Sequence, residues 1–340
     1  MARWLLIFAF SAAFPRSWLQ APRRSTCRRC FSDAAELLAA GRQCREPRLA
    51  REIFEAALGL AEGPQRLELL MRIGDTYLED ALTETALEWF EKAQGEMDED
   101  LKLAVPQRAA LMARRALAAR GPTLQSGLDQ CEAAMNLLRG AGELDSEVGL
   151  FVRRVLGDLL VRLGRSQEAL LELQALPKEP LALVSLGMAY LAAEDFLRAR
   201  DAFEEALPEL EEAEALETPL AAQLLRGLGL ALSGAGDAAA ALDPLQAART
   251  ILEWRGRMGT EEGSQCLLAL GDVYADLDDF EEALRCFELV CLNAEVGSAD
   301  SEVCIDVDDL FVKIEEARRQ LRHSDAARLF GEEEDGTERV

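Results

Sequence analysis

The sequence contains one histidine and eight cysteines that could perform nucleophilic or metal chemistry, and no pattern that joins them into a site. The one histidine, His323, sits in a highly charged stretch near the C-terminus, which is typical of a solvated surface position. Cys27 and Cys30 form the sequence CRRC, but a zinc site would need a second such pair or histidines at finger spacing. The other cysteines replace small apolar residues in helix-like stretches, which predicts buried thiols. They are Cys44, Cys131, Cys266, Cys286, Cys291 and Cys304.

Sequence patterns for phosphate loops, nucleophile elbows and zinc proteases are also missing. No G-x-x-x-x-G-K-[ST], G-x-S-x-G or H-E-x-x-H occurs in the chain. The glycine-rich GAGD of residues 234–237 is interpreted as a turn, and the EEED of residues 332–335 as a solvated acidic tail. We therefore predict no catalytic residues, no cofactor and no metal, and a protein that is not an enzyme.

The charge composition limits the kinds of partner. The formal net charge is −25, and residues 1–32 contain six arginines and no acidic residue, so the remainder is more acidic still. Such a chain repels nucleic acid and anionic membrane surfaces. We expect a protein or peptide partner, with basic partners favoured by the charge, and no membrane span after the first 32 residues. Of the two interpretations of this charge, an acidic surface that only keeps the protein solvated is the favoured one.

Residues 1–32 have the features of a targeting leader. Eleven mostly apolar residues, from Trp4 to Phe14, are too few to cross a bilayer core of about 30 Å but suit the core of a secretory signal. An arginine-rich, acid-free segment follows, as in transit peptides. This order resembles the bipartite leader of plastids acquired by secondary endosymbiosis, in which an aromatic residue, here Phe14, follows the cleavage point. We favour a plastid destination, with the mitochondrion and the secretory route as alternatives.

A pattern of small and bulky apolar residues recurs along the rest of the chain. In ALGDVYADLDDFEEALRCF, Gly271 is followed by Tyr274, Ala283 and Phe287. We number the pattern so that this glycine is position 8, the tyrosine position 11, the alanine position 20 and the phenylalanine position 24. Other residues predicted at position 8 are Leu38, Gly74, Arg115, Gly157, Gly187 and Gly229.

The spacing predicts pairs of antiparallel helices. Positions 4, 7, 8 and 11 fall on one face of a first helix, and small residues at positions 8 and 20 allow a close crossing with the second. The pattern resembles the tetratricopeptide repeat, with its L-G-x2-Y and A-x3-F signature, although the tryptophan at position 4 and the closing proline are missing. The resemblance covers about residues 33–330. It implies an all-α fold, a right-handed solenoid of about seven helix pairs with a C-terminal capping helix.

The spacing of the copies suggests the domain boundaries. Most position-8 residues lie 41 or 42 residues apart, which resembles the long repeats of kinesin light chains and of polarity scaffolds. One step is only 30 residues long, where Pro177 and Pro180 should end a helix early. We expect a cleavable leader, the repeat solenoid, a capping helix or half repeat, and a disordered acidic tail; their ranges are 1–32, 33–306, 307–330 and 331–340. Aspartates eight residues after the glycine should cap the second helix. They are Asp195, Asp237 and Asp279.

Stacked helix pairs create a concave groove lined by the first helices, and this groove is the predicted functional surface. Positions 2, 5, 9 and 12 should point into it. The candidate groove residues are Met71, Asp75, Arg154, Asp158, Met188, Gln223, Arg226, Leu268 and Asp272. Chaperone-binding members of the family hold lysine and asparagine at positions 5 and 9, and the different residues here argue against that mode. An extended or helical peptide is the better prediction.

Two functions are consistent with these patterns. The first is a non-enzymatic scaffold that binds a peptide or partner protein in the groove and takes part in complex assembly within an organelle. The second is a structural or assembly subunit whose groove is capped by its own C-terminal helix.

The leader hypothesis predicts the location of a reporter. Residues 1–40 fused to a fluorescent protein should be imported into an organelle, because the apolar segment and the basic segment act as two successive targeting signals. Fluorescence microscopy of that fusion, with a fusion of residues 33–340 as control, measures the location. A diffuse cytosolic signal from the first fusion would contradict all three destinations.

Overall fold

The computed structural model describes residues 34–44, 46–99, 105–213, 215–296 and 307–334, and every regular element in these residues is a helix. The predicted all-α fold is thereby confirmed. The predicted leader and the last six residues lie outside the described residues. In chain order the helices are α1 (Ala34–Gln43), α2 (Pro47–Leu58), α3 (Gly63–Glu79), α4 (Thr83–Glu99), α5 (Val105–Leu117), α6 (Leu124–Ala141), α7 (Glu147–Arg162), α8 (Ser166–Leu173), α9 (Pro180–Ala192), α10 (Phe196–Glu212), α11 (Pro219–Gly234), α12 (Ala238–Trp254), α13 (Glu261–Asp276), α14 (Phe280–Val296) and α15 (Val307–Glu334), with one 3-10 turn at Gly121–Thr123.

Consecutive helices of the described chain form seven pairs, from α1–α2 to α13–α14, whose short connections make the two members antiparallel. We call the first member of a pair helix A and the second helix B. The contacts divide the chain into two compact units, unit 1 up to Leu156 and unit 2 from Gly157 onward. In unit 2, each helix A contacts the preceding helix B, and α9 contacts α11, which contacts α13. This is the local construction of an α-solenoid.

The crossing of helices A and B depends on the glycine at position 8. Three fully buried phenylalanine rings lie against the position-8 glycine of their own pair, so closely that a Cβ on the glycine would overlap the ring. These contacts are Gly74 with Phe90, Gly187 with Phe203 and Gly271 with Phe287. In two other pairs leucine replaces the ring, with Leu173 against Gly157 and Leu245 against Gly229. The sequence predicted the closest approach between positions 8 and 20, whereas in five pairs of the described chain the side chain at position 24 lies directly against the position-8 glycine.

Phe203 also contacts the next pair. Its ring lies against Gly227 of α11 as well as against Gly187 of α9. One side chain thus packs on helix A of its own pair and on helix A of the following pair. Full burial of a phenylalanine side chain stabilises a fold by roughly 2–3 kcal/mol, and here that contribution holds two repeats together.

In the first pair the structure corrects the register taken from the sequence. Gly41, and not Leu38, faces the ring of Phe54. The crossing lies three residues closer to the end of α1 than it does in the pairs with a position-8 glycine, although the connection to α2 has the same three residues as theirs.

In the third pair the glycine of the crossing lies on helix B. Gly127 of α6 packs against the backbone of Ala116 at the end of α5, and a Cβ at this position would crowd Ala119. Arg115, which the sequence pattern places at position 8, is half-buried. The 3-10 turn between α5 and α6 lengthens the connection and moves the close contact along both helices.

The A–B turns carry a backbone feature that the sequence pattern does not show. Seven residues after the position-8 glycine, the backbone is left-handed in five pairs, with φ between 58° and 89°. These residues are Ala81, Gly164, Glu194, Gly236 and Asp278. The next residue is the predicted cap in three pairs, and each aspartate accepts a hydrogen bond from the backbone N–H three residues later, at 3.0–3.3 Å. The capping prediction is confirmed.

Helix B of the fourth pair is cut short, as predicted. α8 has 8 residues, whereas α10, α12 and α14 have 17 each. It ends at Leu173, and α9 begins at Pro180. Pro177 and Pro180 lack the N–H that a continuing helix would need, and each disfavours helical backbone in the residue before it.

α15 continues the stack beyond the seventh pair. It packs on α14 and buries Leu310, Ile314 and Ala317, which lie on one face of the helix. On the same helix, Lys313 donates to both carboxylate oxygens of Asp272 on α13, at 2.7 and 2.8 Å. α15 therefore takes the place of a further helix A and covers the end of the last described pair.

The glycine contact predicts opposite effects for two Gly→Ala substitutions. Gly271→Ala should lower the free energy of unfolding by about 1–3 kcal/mol, because its Cβ overlaps the Phe287 ring. Gly95→Ala, in the exposed middle of α4 with open space around it, should raise it by up to about 1 kcal/mol through helix propensity. Urea unfolding of the full chain, followed by circular dichroism, measures both. Equal effects of the two substitutions would contradict the packing account.

Candidate functional site

The A helices of unit 2 share a half-exposed surface. We define the inner face of unit 2 as the residues at positions 2, 5 and 9 of α9, α11 and α13. They are Leu181, Val184, Met188, Gln223, Arg226, Leu230, Gln265, Leu268 and Asp272. Leu181 is 42% exposed, Gln223 is exposed, Val184 is buried and the others are half-buried. The structure thus places five predicted groove residues on three helices, of which α9 contacts α11 and α11 contacts α13.

Arg226 is the one cation on this inner face. Its side chain has no hydrogen bond or ion pair with another described residue, although several other described arginines have carboxylate partners. Burial lowers the pKa of Arg226, and the negative charges of Glu262 and Glu261 on α13 only partly oppose that shift. Glu262 itself pairs with Arg257 at 3.1 Å.

Asp272 is the one carboxylate on the inner face, and α15 occupies it through Lys313. Burial raises the pKa of Asp272, while the hydrogen bond and charge of Lys313 act in the opposite direction. Because this lysine is on α15, the acidic end of the predicted groove in unit 2 is already partly neutralised by the chain itself.

In unit 1 the predicted groove residues are engaged in packing and ion pairs. Met71 is 6% exposed and belongs to a core cluster with Phe90. Asp75 accepts from Nε of Arg114 at 2.8 Å, and the guanidinium of Arg114 lies 5.1 Å from the centre of the Phe151 ring. Arg154 lies 5.5 Å from the same ring. Asp158, at position 9 of α7 in unit 2, is half-buried.

Tyrosines at position 11 are fixed by the preceding helix B, a feature that the sequence analysis missed. The amide nitrogen of Gln174 donates to the hydroxyl of Tyr190 at 3.1 Å, and that of Gln246 donates to Tyr274 at 2.9 Å. Both glutamines lie seventeen residues after the glycine of their own repeat. A glutamine at that offset, followed in the next repeat by tyrosine, is the signal that could have revealed the contact. Tyr77 is held differently, with the guanidinium of Arg51 3.7 Å above its ring.

The short α8 leaves a cleft beside α9 and α10, which was also not predicted. The cleft has a volume of about 330 Å³. Leucines and alanines form its floor, and charged side chains its rim, where Lys178 pairs with Glu205 at 2.7 Å. The lining residues are Leu173, Gln174, Leu176, Pro177, Lys178, Ala182, Leu183, Leu186, Tyr190, Arg198, Asp201, Ala202 and Glu205.

The cysteines and the histidine of the described helices do not form a reactive site. Cys131, Cys266 and Cys286 are buried, as predicted, while Cys44 and Cys291 are half-buried. Burial raises the pKa of the Cys266 thiol to about 12 and that of the Cys286 thiol to about 11, so both stay protonated at neutral pH. His323 is exposed, as predicted. Within the described ranges, no three histidine, cysteine or acidic side chains come together as metal ligands would. None of the described helices has the length and apolar character that a membrane crossing requires.

Comparison with known proteins identifies the repeat. The family model of the tetratricopeptide repeat matches residues 264–294, which form most of α13 and α14. One helix pair of this chain, α13–α14, is therefore identified as a tetratricopeptide repeat. A search of the curated proteins by sequence finds no match.

Several solved structures resemble this chain. A Rap protein complexed with Competence and Sporulation Factor is 12% identical, covers 97% of this chain and 89% of its own, and superposes with a TM-score of 0.59. A tetratricopeptide repeat protein from Parabacteroides merdae is 14% identical, with 84% and 98% coverage and a TM-score of 0.44. Repeats of a putative kinesin light chain from Podosopora anserina are 20% identical, with 58% and 99% coverage and a TM-score of 0.42. At 12% identity, the Rap superposition shows the shared fold alone.

The half-buried Asp75 of α3 gives a prediction about pH. Burial raises the pKa of Asp75 and Arg114 offsets this only partly, so the folded state holds its proton more tightly than the unfolded state does. Wild type should therefore gain stability relative to Asp75→Asn as the pH falls from 7 through the raised pKa towards 3.8. Urea unfolding of both proteins across this range measures the difference.

Glu168 is the control of opposite sign. The hydrogen bond from Arg165 lowers the pKa of Glu168, so wild type should lose stability relative to Glu168→Gln in the same acidification. A constant difference between wild type and Asp75→Asn at every pH would show that burial does not perturb this carboxyl group.

Proposed function

We propose that this chain is a non-enzymatic scaffold that binds a segment of a partner protein along the A helices, and that it does so in complex assembly within an organelle. The observation that carries the proposal is the inner face of unit 2. Leu181, Met188 and Leu268 remain exposed or half-buried there, although most apolar residues of these helices are fully buried. Apolar side chains on adjacent helices suit the alternate side chains of an extended or helical segment.

The polar residues of the inner face support binding rather than only solvation. Gln223 offers an amide to solvent, and Arg226 a guanidinium without a carboxylate partner. Polar groups of this kind fix the register of a segment whose apolar side chains supply most of the buried area. The Rap protein, which shares the fold, was solved in complex with Competence and Sporulation Factor, so the architecture is compatible with such a ligand.

A second function, that of a subunit capped by its own C-terminal helix, is favoured by the packing of α15. Its buried Leu310, Ile314 and Ala317 close the last pair, and Lys313 holds one residue of the inner face. In this case α15 protects the end of the stack, and partner binding uses the remaining inner face. The proposed organelle rests on the leader-like composition of residues 1–32 and on nothing in the described helices.

Site-specific photocrosslinking tests the proposed binding surface. A photoreactive phenylalanine analogue at Leu181 or Leu268 of the full chain should crosslink a partner in the native extract, because both side chains lie on the inner face. The same analogue at Leu171 or Leu197, exposed on B helices, should not. Mass spectrometry of the crosslinked peptides measures the outcome. Partner crosslinks confined to Leu171 or Leu197 would contradict the proposal.

A further inference from the structure

Arg226 has no hydrogen-bond or ion-pair partner among the described residues, and apolar residues lie at the equivalent positions of the flanking helices. The residues at its repeat position on the two flanking A helices are Val184, which is buried, and Leu268, which is half-buried. One turn further along α11, Leu230 is also half-buried. No side-chain acceptor therefore reaches the guanidinium from these three positions.

The nearest acidic residues already have other partners. Glu262 pairs with Arg257, and Glu261 accepts from Nε2 of Gln265 at 3.0 Å. No hydrogen bond or ion pair joins either carboxylate to Arg226 in the described part of the chain. A guanidinium that is half-removed from water without such a bond is unfavourable, and the burial that lowers its pKa reflects the same cost.

We propose that Arg226 binds the side-chain carboxylate of a glutamate or aspartate in the partner segment, with apolar partner residues on either side packing on Met188, Leu230 and Leu268. A planar guanidinium forms two parallel hydrogen bonds with a carboxylate, and such bonds are strongest where water is excluded. Arg226 then selects the register of the segment, since it is the only charge of the inner face without a partner in the described chain. This inference rests on the proposed scaffold function and specifies the chemistry of its ligand.

The charge of the whole protein limits this ligand further. With a formal net charge of −25, the protein repels a segment that is acidic throughout. The ligand therefore carries one acidic residue within an apolar stretch, and its net charge is neutral or positive. This combines a local carboxylate with the general preference of an acidic protein for basic partners.

Selection from a library of random 12-residue peptides displayed on phage, with the full chain as bait, tests the inference. Enriched peptides should share one glutamate or aspartate flanked by apolar residues. In fluorescence titrations, Arg226→Gln should weaken their binding about tenfold or more, the size of effect expected when a charged hydrogen-bonded pair is lost. Arg285→Gln, on the helix B α14 and away from the inner face, removes an exposed, ion-paired arginine and should leave binding unchanged. Circular dichroism establishes that both variants are folded.

A charge exchange completes the test. Peptides in which the acidic residue is replaced by lysine should bind Arg226→Glu better than they bind wild type. If enriched peptides bind Arg226→Gln as well as wild type but lose affinity with Leu268→Ala, the carboxylate assignment is wrong and the scaffold function stands. If peptides need a free C-terminal carboxylate instead of an acidic side chain, the proposed ligand is also wrong. If no peptide depends on any inner-face residue, both proposals fail.

Discussion

The contact between the position-8 glycine and the side chain sixteen residues later is the constraint on which the other features depend. Where phenylalanine fills that position, its ring lies against bare backbone, as in Gly271 with Phe287. Helix axes can approach to about 8–10 Å only when small residues occupy the crossing. This contact fixes which face of helix A is turned towards helix B. An adjacent face of helix A, about a quarter turn away, is then left for the neighbouring repeats and for solvent, and in unit 2 it forms the inner face.

Polar contacts then decide how much of that face remains available. Asp75 forms an ion pair with Arg114 in unit 1, and Asp272 forms an ion pair with Lys313 in unit 2. The hydroxyl groups of Tyr190 and Tyr274 are satisfied by glutamines of the preceding helix B. Buried polar groups that already have partners stabilise the repeat stack and contribute little to recognition. Arg226 differs from these residues, and for that reason the specific chemistry of the inner face is assigned to it.

The helix pairs were predictable because each crossing needs small and bulky residues at fixed spacings, and these spacings can be recognised in the amino-acid sequence. The register failed at Leu38, since Gly41 faces the Phe54 ring instead, and at Arg115, where the longer connection between α5 and α6 moves the crossing onto Gly127. The inner-face positions of α9, α11 and α13 were also predictable from helical spacing. Their availability was not, because the pairing of Asp272 depends on a helix that docks from forty residues further along the chain.

The most direct test of this account is the effect of Gly271→Ala in a Phe287→Ala background, compared with its effect in wild type, by equilibrium unfolding of the four proteins. If the Phe287 ring is what excludes a Cβ at residue 271, the substitution destabilises wild type but becomes neutral, or stabilising by up to about 1 kcal/mol, once the ring is removed. An equal loss of stability in both backgrounds would contradict the claim that this contact determines the packing of the repeat.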